Sequence, residues 1–403
     1  MELVKCMNKE KLLKEYFGFN EFRYPQDQII DSVVQGEDVI SLLPTGYGKS
    51  IVFQVSALLL KHLTIIITPL IALMEDQVMH LKKKGISAVA IHSNLSLLEQ
   101  DIIYKGILKQ KYKMIYIAPE RLQNLKFIKV IKEHPVSLLV VDEAHTILWG
   151  ESFRSSFLHI KKALNSFTIR PVVLALTATA TSNTIAKIVN YLGLNQPKLF
   201  RIPMDRKNLY FSVICTKDKF FYLINYLKKF RDQKGILYCL TRRTVETLWH
   251  VLKTKGYSVT FYHGGMDVKQ KNINQQLFTK GLCNLMICTN AFGMGIDIPD
   301  IRFVLQYDTP QSIEDLVQQI GRASRDGVYG EGVLLFSFSD LRQSEYFIQT
   351  IQQKQVRKQE IKKLEAVVDY ALTTKCRHSW ISKYFGQTVN PCNCMCDNCK
   401  KSR

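Results

Sequence analysis

The chain has 403 residues, 46% of them hydrophobic, enough for two or three well-filled cores, which excludes a disordered polypeptide. Lysine and arginine total 55 against 35 aspartates and glutamates, a formal charge of +20, so the surface field favours a polyanionic partner, although an inert basic surface fits the charge as well. No run reaches the roughly 18 uninterrupted apolar residues of a membrane helix, and MELVKCMNKE is no signal peptide; a soluble, cytoplasmic protein with no membrane partner is expected.

From residue 38, short apolar runs alternate with polar stretches of helical length: DVISLLP, TIIITP, AVAIH, MIYIAP, SLLVVDE and VVLALT. This alternation predicts a parallel sheet wrapped by helices. It breaks at PMDRKN, residues 203–208, and resumes with LYFSVI, GILYCL, VTFYH, NLMICT, RFVLQYD and GVLLFSF. After Ser339 the sequence turns basic and helical, KQVRKQEIKKLEAVVDYAL, and ends in a cysteine cluster. The expected fold class is α/β, with parallel-sheet lobes over residues 1–205 and 206–339. Residues 340–403 form a small helical module, too short and polar for a large core of its own.

In chain order, the first chemistry lies in Leu43-Pro-Thr-Gly-Tyr-Gly-Lys-Ser50, between a strand and a helical run. Backbone N–H groups at a glycine turn and a helix start hold phosphates. Thr45, Gly46 and Gly48 would close around the β-phosphate of ATP, Lys49 would reach the β- and γ-phosphates, and Ser50 would hold Mg²⁺. Leu43 stands where the strict phosphate-loop pattern has glycine. Next, Val140-Val-Asp-Glu-Ala-His145 ends a buried strand and brings Asp142 and Glu143 to the carboxyl edge of the sheet, where ligands bind. Asp142 is the expected outer Mg²⁺ ligand, and Glu143 the base that activates water. His145 fits a packed core histidine equally well.

Gln318, Arg322 and Arg325 follow at i, i+4 and i+7, so one helical face would present them to a γ-phosphate. Five of the ten cysteines, Cys376, Cys392, Cys394, Cys396 and Cys399, crowd the C-terminus. In a cytosolic chain this favours Zn²⁺ over disulfides, with Cys396-x-x-Cys399 offering two thiolates from one turn.

The motifs occur in the order of the RecQ family of superfamily 2 DNA helicases, which the chain resembles over nearly its whole length. FGFNEFRYPQDQII is similar to that family's nucleotide-reading motif, which implies that Gln26 hydrogen-bonds adenine with support from Arg23. LLPTGYGKS, TPLIALMEDQ, APERL, VVDEAH and LALTATAT resemble motifs I, Ia, Ib, II and III. GILYCLTRR, CTNAFGMGIDIPDIRFVLQYD and QQIGRASRDG resemble motifs IV, V and VI. AFGMGID separates RecQ-like chains from most RNA-remodelling relatives.

The resemblance implies two tandem RecA-like lobes, ATP with Mg²⁺ as the fuel, and 3′ to 5′ movement on single-stranded or partially duplex DNA in repair or recombination. It implies Gly295 and Asp297 at the nucleotide cleft, and Thr68, Arg121, Trp149, Phe153 and Arg154 on nucleic acid. Trp149 and Phe153 belong to an aromatic-rich loop, here one residue shorter than the family pattern after His145. It also implies a zinc module in which Cys376, Cys396 and Cys399 match directly. The fourth ligand is Cys392 or Cys394, with Cys392 preferred for its Pro-Cys context.

A monomer is expected, helped by a single-strand-binding protein or other repair factors, in the cytoplasm near the nucleoid or in a nucleus. The chain stops at Arg403, so the winged-helix domain and the further small helical domain common in the family are expected to be missing, and unwinding of long blunt duplex to be poor. The rival functions are an RNA-directed helicase and a degenerate motor serving as a nucleic-acid-binding adaptor.

Overall fold

Runs of valine, isoleucine and leucine with no polar alternation must be buried on both faces, which only a sheet covered by helices on both sides allows. The structure, a computed structural model, describes residues 8–44, 46–69, 71–148, 159–164, 167–203, 206–293 and 298–401. It forms two compact units, Met1–Ile202 and Pro203–Arg403, divided just before residues 203–208.

In the first unit, seven strands are ordered β3-β4-β2-β5-β6-β1-β7: β1 (Val39–Leu42), β2 (Leu63–Ile67), β3 (Ala88–Ile91), β4 (Met114–Ile117), β5 (Val136–Val141), β6 (Val172–Thr177) and β7 (Lys198–Arg201). Every neighbouring pair is parallel. Successive strand residues point to opposite faces: Ile65, Leu139 and Val141 fill one core, Ile66, Leu138 and Val140 the other. Helix α1 (Gln26–Val34) and helix α2 (Lys49–Leu59) cover the second face.

The second unit repeats the plan with six parallel strands ordered β10-β11-β9-β12-β13-β8. These are β8 (Leu209–Cys215), β9 (Gly235–Tyr238), β10 (Val259–Tyr262), β11 (Leu285–Cys288), β12 (Phe303–Gln306) and β13 (Gly330–Phe336). Helix α3 (Ile313–Ile320) lies on one face. The C-terminal segment adds α4 (Phe338–Gln349), α5 (Lys354–Leu372), α6 (Arg377–Tyr384) and α7 (Asp397–Lys401).

That segment packs into the second unit. Val367, Tyr370, Ala371, Ile381, Phe385 and Cys396 share a core with Phe211, Val304 and Leu334 of the sheet. The N–H of Phe211 in edge strand β8 donates to Met395 O at 3.1 Å, so the cysteine-rich turn pairs with the sheet edge. Among the described residues no helix is long and apolar enough to cross a membrane.

Candidate active site and zinc centre

In the first unit, β1 runs into a turn in which Gly46 and Gly48 have φ of 80° and 83°, a region that side chains rarely adopt. At Gly48 a Cβ would also meet Gln26 Nε2 at 2.6 Å. Gly48 caps α2, so Lys49 and Ser50 open the helix, and the Ile51 N–H donates to Gly48 O at 3.1 Å. Thr45 lies outside the described residues.

Strand β5 delivers the acids. Asp142 N donates to Ile67 O at 2.9 Å, extending the pairing with β2, and Glu143 N then donates to Asp142 Oδ1 at 2.9 Å. Glu143 has φ of 48°, an uncommon conformation for a side-chain-bearing residue and one met most often at functional sites. Its Oε1 lies 3.1 Å from Lys49 Nζ, and both side chains are mostly buried. Burial pushes the Asp142 carboxyl up and the Glu143 charge adds to this, while Lys49 opposes it. His145 Nδ1 stands 2.9 Å from Thr177 Oγ1 and 3.3 Å from Glu143 Oε2. Burial pulls its imidazole toward the neutral form. His145 thereby ties the acids to the LALTATAT turn, where Thr177 Oγ1 also donates to Thr179 O at 3.0 Å.

Gln26 is buried against the same turn. Its Nε2 donates to Tyr47 O at 2.8 Å and Gly48 O at 3.3 Å, and its Oε1 accepts from Arg23 N at 2.9 Å. Arg23 Nη1 donates to Gly46 O at 3.2 Å. Both residues thus brace the Gly46–Gly48 turn, which their resemblance to an adenine-reading motif did not indicate.

Two expectations about nucleic-acid residues meet the structure differently. Thr68, the residue after β2, is 1% exposed, so its side chain does not face solvent, and its N–H donates to Ile117 O at 3.0 Å. Arg121 is partly exposed and donates to Gln100 Oε1 at 2.9 Å and His92 O at 3.3 Å. Trp149, Phe153 and Arg154 lie outside the described residues, as do Gly295 and Asp297.

In the second unit the expected single helical face of Gln318, Arg322 and Arg325 does not form. Helix α3 ends at Ile320 with Gly321 as its cap, and Ser324 takes a φ of 54°. Gln318 stays on the helix, while Arg322 turns inward, 5% exposed, and donates to Gly293 O. Gly293 has φ of 123°, and a Cβ there would meet the Arg322 guanidinium at 2.4 Å. The turn is held from the break between the lobes: Arg206 Nη2 donates to Ala323 O at 3.0 Å and Ser324 O at 2.8 Å, and Asn208 Nδ2 to Ser324 O at 2.9 Å. Arg206 and Asn208 escape sequence reasoning because their partners are backbone carbonyls over a hundred positions away.

The cysteine cluster is formed by Cys376, Cys392, Cys396 and Cys399, whose Sγ atoms all lie within 4.8 Å of one another. Zn²⁺ bound tetrahedrally about 2.3 Å from four sulfurs needs them about 3.8 Å apart, so the cluster fits that ion. The N–H groups of Cys392 and Cys399 donate to Cys376 Sγ and Cys396 Sγ at 3.3 and 3.4 Å, stabilising thiolates. Burial opposes ionisation of Cys376, yet hydrogen bonds from Ser379 and Cys392 outweigh it and bring its thiol down to about 6. Cys394, at φ of 74°, is outside the cluster, its Sγ 3.9 Å from Cys399 O. The turn is anchored by a buried ion pair in which Arg377 Nε and Nη2 lie 2.6 and 3.0 Å from the Asp397 carboxylate. Asp397 Oδ2 in turn accepts from Val213 N of β8 at 3.1 Å.

The DEAD/DEAH box helicase family model matches residues 23–188, the helicase conserved C-terminal domain 218–327, and the RecQ zinc-binding domain 338–400. The ATP-dependent DNA helicase RecQ of Bacillus subtilis is 37% identical over 98% of this chain and 67% of its own length. A putative ATP-dependent RNA helicase of Acanthamoeba polyphaga mimivirus is 35% identical over 97% of this chain and 71% of its own. Among solved structures, the DEAD-box helicase Mss116 bound to single-stranded RNA shares the fold with a TM-score of 0.71 at 18% identity, covering 94% of this chain and 86% of that one. The chain spans 61–67% of the length of three RecQ relatives that it matches. With an ATP-binding helicase core and a four-cysteine zinc site in one polypeptide, the chain belongs to the RecQ family of ATP-dependent DNA helicases.

Proposed function

We propose that this chain couples ATP hydrolysis to 3′ to 5′ movement along single-stranded DNA, separating partially duplex DNA in repair or recombination. The observation that carries the reading is the ion pair of Lys49 with Glu143, 3.1 Å long and mostly buried at the mouth of the phosphate loop. It supports the reading because Lys49, proposed to bind phosphate, lies within hydrogen-bonding distance of Glu143, proposed to activate water. On ATP binding, Lys49 exchanges the Glu143 carboxylate for the β- and γ-phosphates, which frees that carboxylate to accept a proton from the attacking water. Mg²⁺ would be held by Ser50 and Asp142, and when bound it neutralises phosphate charge. Gln318 and Arg325 are the second-unit groups assigned to the γ-phosphate, with Arg322 positioning the turn through Gly293. Such an arginine is worth about 10³ to 10⁵ in turnover in related NTPases.

Arg121 with Trp149, Phe153 and Arg154 would contact the strand, the aromatic rings stacking on bases. The four zinc ligands are assigned to Cys376, Cys392, Cys396 and Cys399. The protein would act as a monomer alongside a single-strand-binding protein or other repair factors.

The mimivirus relative's name raises RNA as the rival track. ATP turnover measured with single-stranded DNA and with RNA of the same sequence separates the two. DNA is expected to stimulate turnover strongly and RNA weakly; equal or greater stimulation by RNA would overturn the DNA assignment.

A further inference from the structure

The outward face of the C-terminal helical hairpin has no role in the motor described so far. Helix α5 buries Leu364, Val367, Tyr370 and Ala371 in the second unit's core. Its opposite face exposes Lys354, Lys358 and Lys362, spaced four residues apart and thus rising about 6 Å from one to the next. None of the three has an ion-pair partner among the described residues, whereas the neighbouring Lys363 pairs with Glu360 at 2.6 Å. Exposed acids on this face, Glu365 and Asp369, come only further along the helix, so the positive charge concentrates at its start.

That start is held against the end of α4. Arg357 Nε and Nη2 donate to Ile351 O at 3.0 and 2.6 Å, and Thr350 Oγ1 to Phe347 O at 2.7 Å, closing the connection. At the end of α4 stand Tyr346, 66% exposed, and Phe347, 41% exposed, with ring centroids 6.1 Å apart. A single exposed apolar side chain is ordinary. Two adjacent exposed rings beside a row of unpaired lysines combine the two elements that bind single strands without sequence preference: π faces for bases and cations for phosphates.

We propose that the tip of the α4–α5 hairpin is an accessory binding site for single-stranded DNA, with Tyr346 and Phe347 stacking on bases and Lys354, Lys358 and Lys362 holding phosphates. Double-stranded DNA is the poorer occupant, because its base faces are already stacked. The site names a second contact for the proposed substrate and rests on the reading of the chain as a DNA motor.

The test uses the full chain with two variants, Y346A/F347A and K354Q/K358Q/K362Q, and labelled oligodeoxythymidylate or blunt duplex followed by fluorescence anisotropy at several salt concentrations. Both variants are expected to bind the single strand about ten-fold or more weakly, since each stacked base contributes substantially. The lysine variant should also lower the log–log salt slope by about two. Zinc content and melting temperature should match wild type, because all five side chains are on the surface. Duplex binding by the aromatic variant should change by less than about two-fold. Wild-type affinity in both variants would overturn the site and leave the aromatic face to a protein partner. An equal loss on duplex in the aromatic variant would also overturn it. If wild type itself shows neither single-strand binding nor DNA-stimulated ATP turnover, the DNA-motor reading fails and takes this site with it.

Discussion

Glu143→Gln is expected to reduce DNA-stimulated ATP turnover by about 10² to 10⁴ while leaving ATP affinity intact. The substitution removes the only proposed proton acceptor for water and keeps the size and shape of the side chain. It also removes the charge that holds Lys49 at 3.1 Å. ATP therefore no longer competes with a carboxylate for that cation, and affinity should stay level or rise. Steady-state turnover and equilibrium binding of a non-hydrolysable ATP analogue read the two effects separately. A variant that retains a third of wild-type turnover would remove Glu143 from the role of base, and a loss of ATP affinity would show that the pair supports binding.

The second large effect concerns the zinc centre. Cys396 is fully buried and sits within the core shared by the C-terminal segment and the second sheet. Its turn pairs with β8 through Met395 and Phe211, and Asp397 accepts from Val213. Losing the metal therefore uncouples the sheet edge as well as the turn. Structural zinc contributes about 10–16 kcal/mol in small metal-dependent peptides. Even about 3 kcal/mol lost from a unit of this size lowers its melting temperature by about 6–12 °C. Cys396→Ser should show at least that shift and lose zinc, expected at one per wild-type chain; Cys392→Ser should lose zinc too, and Cys394→Ser should keep it. Retention of zinc by Cys392→Ser together with its loss from Cys394→Ser would exchange the two ligand assignments.

Much of the fold is legible in the residues because parallel sheets use runs of valine, isoleucine and leucine, and all twelve such runs became strands. The missed strand, β7, is Lys-Leu-Phe-Arg at a sheet edge, where exposure removes the continuous apolar signal. The glycine turn before α2 and the position of Asp142 and Glu143 at the end of β5 are legible because each depends on local spacing at a strand end. The arrangement around Arg322 is not. Counting i, i+4 and i+7 assumes an unbroken helix, and a stop at Gly321 with a left-handed Ser324 reverses one side chain into the interior. The burial of Thr68 is not legible either, since motif membership carries no information about burial. Cys392 and Cys394 could not be separated by spacing alone, because the choice is made by the left-handed conformations of Asn393 and Cys394, which turn one thiol out of the cluster.

The most direct test of the account is strand separation by the full chain on duplexes carrying a single-stranded tail at the 3′ end, at the 5′ end, or at neither, with ATP turnover followed in the same reactions. ATP-dependent separation is expected on the 3′-tailed duplex, with little on the 5′-tailed one and loss of both separation and turnover in Glu143→Gln. Preferential separation of the 5′-tailed duplex would reverse the polarity, and the absence of DNA-stimulated ATP turnover in the wild-type chain would contradict the motor itself.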